Sequence, residues 1–248
     1  MRQHLFLFAH QDDETPVFLE IETLCAQGDR VMAVYLTSGT VDGSPSPRRN
    51  AESRWVLERL GVAPEDIAFL GATHQLPDGR LPEHLPQARS ALLEWLRDKG
   101  SIAQLFCLAW EGGHQDHDAV YALAVELHTE HGIGEQAFQF PYYHGKGLTG
   151  SWFKVLDPIH ENGPALRRRI PWSSRLGYLR MCLGAYPSQI KSWVGLGPFF
   201  VWHYLFNGTQ VLHPLQALRV KEKPHAGAML YERRGFYDFD RLRKHLGF

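Results

Sequence analysis

The chain has 248 residues, enough for one large domain or two small ones with a substantial buried core. A net charge of −1 removes the electrostatic case for a nucleic-acid partner. No run reaches the ~18–20 uninterrupted apolar residues of a membrane span. The short apolar stretch over residues 5–9 is no secretory leader, because it runs straight into acids, so a cytoplasmic location is expected. Cys25, Cys107 and Cys182 are far apart and odd in number, which fits reduced core residues and no disulfide framework.

Leu5, Phe6, Leu7, Phe8 and Ala9 form a continuous apolar run that reads as a buried strand. The cluster Ala9-His10-Gln11-Asp12-Asp13-Glu14 follows. Next comes a helical mix of Phe18, Leu19, Ile21, Leu24 and Cys25 that stops at Gly28. One histidine and three acids therefore sit where a strand hands over to a helix. Open α/β sheets bind ligands there, outside the carboxyl ends of their strands.

Residues 30–37 predict a second buried strand. A loop leads to a helix opened by Ser46-Pro47, where the missing N–H of proline does no harm, and that helix ends at Gly61. Residues 67–70 predict a third strand. Leu76-Pro77-Asp78-Gly79-Arg80 is turn chemistry, and residues 85–99 predict an amphipathic helix ending at Gly100. The run 102–110 then enters Gly112-Gly113-His114-Gln115-Asp116-His117-Asp118, followed by a helix with Val120, Leu123, Ala124 and Leu127 on one face. Phe138-Gln139-Phe140 would be a fifth strand.

This alternation predicts an α/β fold: a Rossmann-like, doubly wound, mainly parallel sheet with helices on both faces. With the strand order 3-2-1-4-5, taken from fold analogy, the first and fourth strands are neighbours and the two polar clusters meet at the switch point. One domain over 1–248 is expected. Residues 1–141 would be the core with both clusters, and 142–248 an irregular part with specificity loops and C-terminal helices.

Past residue 141 the pattern weakens. Tyr142, Tyr143 and His144 belong to a polar aromatic loop that either lines the site or lies on the surface. Arg167-Arg168-Arg169 precedes a helix through Leu176, Leu179, Met181 and Leu183. Residues 193–206 hold Trp193, Phe199, Phe200, Trp202, Tyr204 and Phe206. That stretch reads as core or dimer contact, or as a surface for a lipid-linked or aromatic substrate. Residues 232–248 read as one amphipathic charged helix.

Two strand ends that each present histidine and acids could supply a metal with two imidazoles and one carboxylate. Three protein ligands and an open position are what catalytic zinc wants. His114 and His117, three apart at a helix start, can face one point, but catalysis also needs a proton donor and an open coordination position. Plainer readings stand beside these. Asp12 or Asp13 would serve as a helix N-cap, Glu14 as a first-turn charge, and Asp118 as a solvated carboxylate. Arg49 would pair with Glu52 or reach a substrate hydroxyl or phosphate.

The two motifs resemble those of the PIG-L/LmbE family of zinc-dependent N-deacetylases, Ala-His-Pro-Asp-Asp-Glu and Gly-His-Pro-Asp-His. Here Gln11 and Gln115 replace the prolines, which is expected to loosen two turns. Arg49-x-x-Glu52 with Leu60-Gly61, then Pro77-Asp78-Gly79-Arg80-Leu81, then Tyr186-Pro187-Ser188-Gln189, extend the resemblance over residues 3–190. It implies one zinc per chain on His10, Asp13 and His117. It implies Asp12 as general base and His114 as the group that stabilises an oxyanion or protonates the leaving amine. Asp116 would orient a histidine, Glu14 would stand behind the site, and Arg49, Tyr142, Tyr143, His144 and Gln189 are weaker substrate contacts. The implied reaction is hydrolysis of the N-acetyl group of an amino sugar or glycoconjugate. Two further readings use the same residues: a 2-His-1-carboxylate Fe(II) enzyme, and a non-catalytic sugar- or partner-binding protein. The sequence leaves the oligomeric state open.

Overall fold

The computed structural model describes residues 1–247. Its order is β1 (Gln3–Phe8), α1 (Phe18–Ala26), β2 (Arg30–Tyr35), α2 (Pro47–Arg59), β3 (Ile67–Phe69), α3 (Leu70–Thr73), α4 (Leu85–Leu96), β4 (Gln104–Leu108), α5 (Gln115–Thr129) and β5 (Gln136–Phe140). After these come β6 (Tyr143–His144), β7 (Lys154–Val155), β8 (Leu166–Arg169), α6 (Trp172–Gly184), α7 (Ile190–Trp202), β9 (Thr209–Pro214), α8 (Leu230–Arg233) and α9 (Phe239–Leu246).

Seven strands form one sheet in the order β3-β2-β1-β4-β5-β9-β8. The first five are parallel, as the alternation predicts, and β9 and β8 continue the sheet antiparallel. Strands from both sides of residue 141 therefore share this sheet. β1 is the middle of the five parallel strands, with Leu5 to Ala9 fully buried. Such a strand is apolar on both faces because helices cover both. Phe6 stacks on Phe106 across the β1–β4 pair with ring centroids 4.4 Å apart. The register Leu7↔Cys107 sets the carboxyl ends of β1 and β4 side by side.

Four details differ from the sequence pattern. Leu70 opens the short helix α3 instead of closing β3, because Gly71 packs against the backbone of Thr37. A Cβ on Gly71 would meet Thr37 Cα at 2.3 Å. Arg167, Arg168 and Arg169 lie within the edge strand β8, and all of its side chains are exposed. The tail is not one helix: α8 stops before Gly235, whose φ of +69° breaks the run, and α9 begins after the N-cap Asp238. Phe248, the last residue of that expected helix, lies outside the described residues. The aromatic stretch is amphipathic, with Trp193, Phe200 and Tyr204 buried and Trp202 and Phe206 exposed. Cys107 and Cys182 are buried, Cys25 is half-buried, and all three are free.

Candidate metal centre and catalytic cavity

The loop after β1 is fixed by its own acid. Asp13 Oδ2 accepts the backbone N–H of Ala9 at 3.0 Å and of His10 at 2.6 Å. Asp13 is thus a cap for its turn, but it is more than that, because the same carboxylate also faces two imidazoles. Oδ1 lies 3.2 Å from His117 Nε2, and Oδ2 lies 3.4 Å from His10 Nδ1. The two ring nitrogens are 3.3 Å apart. A tetrahedral ion with bonds of ~2.0–2.1 Å spans edges of ~3.3–3.4 Å, and these separations are of that size, with the Asp13 carboxylate meeting the two imidazoles through different oxygens. Two imidazoles and a carboxylate at this spacing in a buried place are held together by a proton or by a metal cation between them.

The charges around the triangle agree. Burial opposes charge on His10, but Asp78, Asp13 and Asp116 outweigh it and push the His10 pKa well above the usual histidine value. Burial would raise Asp13, but His117 and His10 overcome it and hold that carboxyl below its usual range. The far nitrogen of His10 is occupied. Nε2–H donates to Asp116 Oδ2 at 3.0 Å and lies 3.2 Å from Asp78 Oδ1. That leaves Nδ1 as the free donor atom. A carboxylate behind a ligating histidine fixes its tautomer in this way. Asp116 is itself held by the backbone N–H groups of Gly79 and Leu81 at 2.6 and 2.9 Å. Two groups around His10 bring single ligand atoms within 4.8 Å of one another: His10 with His114 and His117, and His10 with Asp78, His114 and Asp116. A metal can therefore be held here.

Beside the triangle a cavity of about 340 Å³ opens. Its walls include Asp12, Arg49, Asp78, His114, Tyr142, Tyr143 and Gln189, together with Arg234 and Phe236. Asp12 has φ +124°, a region that side-chain-bearing residues rarely occupy. Burial first, then the adjacent Asp13 charge, raise its pKa well above the carboxylate norm. His114 is the N-cap of α5, and its Nδ1 accepts the N–H of Asp116 at 3.2 Å. Burial, with the His10 charge next, lowers its pKa to about 4. The ring is then neutral with its proton on Nε2, which makes it a hydrogen-bond donor without becoming a cation.

Several side chains behave differently from their sequence readings. Arg49 does not pair with Glu52. Nη1 donates to Gly39 O at 2.6 Å and to Asp78 Oδ2 at 3.2 Å, while Glu52 bonds Arg48 and Ser188. Glu14 is fully buried, accepting the Asp12 N–H at 3.1 Å and the Tyr186 hydroxyl at 2.8 Å, and burial raises its pKa. Asp118 is not solvated. It accepts from the N–H groups of Glu111 and Gly112 and from the Tyr231 hydroxyl, and burial raises it to about 7. His144 does not line the cavity; Nε2–H donates to the Asp157 carbonyl at 2.8 Å. The glutamines do not leave their turns loose. Gln11 Nε2 donates to Asn50 Oδ1 at 2.7 Å, and Gln115 Nε2 donates to Gly79 O at 2.9 Å. Each ties its turn to a neighbouring element.

Sequence reasoning did not assign Asp78, Glu111 or Arg234. Glu111 accepts the backbone N–H groups of both Tyr142 and Tyr143 at 2.8 Å, which sets those two rings against His117. An acid between the apolar run and the Gly-Gly turn was the available signal.

The family profile described as PIG-L: GlcNAc-PI de-N-acetylase matches residues 5–128. No curated relative matches the chain. Among solved structures, a triple mutant of a deacetylase from the teicoplanin biosynthetic pathway has a TM-score of 0.62 at 16% identity, over 86% of this chain and 97% of that one. The zinc-inhibited form of teicoplanin deacetylase has a TM-score of 0.61 at 13% identity, with the same coverage. N,N'-diacetylchitobiose deacetylase from Pyrococcus horikoshii, complexed with an inhibitor, has a TM-score of 0.58 at 18% identity, over 91% of this chain and 88% of that one. At such identities the likeness is one of fold. The profile spans both His/Asp motifs and half of the sequence, so the chain belongs to the PIG-L family.

Proposed function

We propose that this protein hydrolyses the N-acetyl group of an amino sugar, free or within a glycoconjugate, with one zinc ion held by His10, Asp13 and His117. The observation that carries the reading is the buried triangle opening on a polar cavity, with Asp12 and His114 on the cavity wall and outside the triangle. Deacetylases share the fold, which supports the reaction, and one of them is described as a zinc-inhibited form, which supports a place for zinc in a site of this kind. When bound, the ion would polarise the amide carbonyl and lower the pKa of a water toward ~7.

The chain's own groups do the rest. Asp12 accepts a proton from water as the water oxygen bonds to the amide carbon. A carboxylate with a raised pKa suits this work, because an ideal base titrates near the working pH. His114, neutral and with Nε2–H free, donates to the oxygen that gains charge. The C–N bond breaks with its electron pair on nitrogen, which takes up the proton that Asp12 removed from water. Arg49, Asp78, Gln189 and the two tyrosines offer donors and acceptors to sugar hydroxyls. The test is release of acetate from a panel of N-acetylated sugars. Acetate and free amine should appear in equal amounts, stop on chelation and resume with added zinc. No acetate from any of them, with metal-loaded protein, would overturn the reading.

A further inference from the structure

The polar and apolar content of this chain is unevenly placed. Residues 163–221 contain eight Lys and Arg and no Asp or Glu, although the rest of the chain carries nine more acids than bases. This segment includes α6 and α7. The outward stripe of α7 and the turn after it is apolar. Ile190, Val194, Trp202 and Phe206 recur at four-residue spacing, with Pro198 between them, and each of the four is more than 60% exposed. The Trp202 and Phe206 rings lie 4.5 Å apart. On α6, Trp172, Leu176 and Leu183 are exposed too, and Leu183 borders α7 at Gly197. Arg180 and Lys191 stand exposed beside these stripes. Water-facing tryptophan and phenylalanine on a helix edged by bases, with no acid within the segment itself, is the chemistry of an interfacial helix; Glu22 and Glu52, from other elements, are engaged by Tyr178 and Ser188.

We propose that the α6–α7 face docks the protein onto an anionic lipid bilayer, with the apolar stripe in the interfacial layer and Arg180 and Lys191 on headgroup phosphates. Charge selects this occupant over a second copy of the chain. A two-fold dimer would set the acid-free segment against itself, whereas anionic lipid complements it. The same helix supplies Ser192 and Leu196 to the catalytic cavity, so docking would hold that cavity within one helix of the membrane.

The test is co-sedimentation with phosphatidylcholine vesicles, with and without phosphatidylglycerol, for the wild type and the double variant Val194→Asp/Trp202→Asp. Both positions are exposed, and an unchanged melting temperature verifies the fold. The expected result is binding to the anionic vesicles that weakens with salt and drops roughly tenfold or more in the variant. Absence of binding, equal binding to neutral vesicles, or undiminished binding by the variant would overturn it. A wild-type dimer that the variant dissociates would give the face to a second copy and would also overturn it. None of these readouts uses hydrolysis, so the proposal stands or falls apart from the deacetylase reading.

Discussion

At φ +124° the backbone of Asp12 is in a conformation that costs a residue with a side chain about 1–3 kcal/mol. The side chain is also buried beside Asp13, which disfavours its charge. Both terms oppose folding. Asp12→Gly should therefore raise the melting temperature while hydrolysis is lost, and a lower melting temperature would show that the carboxylate holds the loop. Asp12→Asn keeps the shape and removes the base, so the rate should fall ~10²–10⁴-fold with metal retained. The motif residues themselves were legible in the sequence, because their chemistry is local and follows two strand ends. The partners of Arg49, Glu14 and Asp118 were not. Each is set by contacts 29 to 172 residues away, with Asp78, Tyr186 and Tyr231, that no local spacing encodes.

Among the elements, the five parallel strands and the helices between them were readable from apolar runs and glycine stops. β8 and β9 were not. β8 is Leu-Arg-Arg-Arg with no residue of it buried, and β9 ends in His-Pro, so neither shows a strand period. The broken tail was missed because its apolar spacing is helical on both sides of Gly235. The approach of β6 to the loop after β4 was equally invisible, and it is close. A Cβ on Gly113 would meet the carbonyl oxygen of Tyr143 at 1.8 Å. Gly113→Ala should push Tyr142 and Tyr143 away from His117, with a stability loss of about 1–3 kcal/mol seen as a lower urea midpoint. An unchanged midpoint would mean that this contact yields freely.

Over the whole molecule, burial sets the acid limit. It lowers the pKa of His144 and of His203 to about 4. The unfolded chain takes up these protons first as pH falls from ~6.5. Stability from these two groups is therefore complete above ~6.5, declines between ~6.5 and 4, and levels off below. Between pH 7 and pH 5 the urea midpoint of the wild type should fall relative to that of His203→Gln, which lacks one of these groups; a difference between the two that does not change with pH would contradict it. Among the described residues no helix is long and apolar enough to cross a membrane. The segregation of charge toward α6 and α7 is hidden by a net value of −1 and emerges only when the chain is read in segments.

The central claim is a division of labour: His10, Asp13 and His117 hold a metal that Asp12 does not. Its most direct test is zinc content per chain, measured beside acetate release, for the wild type, Asp12→Asn and His117→Ala. One zinc is expected in the wild type and in Asp12→Asn, with loss of zinc from His117→Ala and hydrolysis by the wild type alone. Equal zinc loss in both variants, or a wild type that takes up no metal, would contradict it.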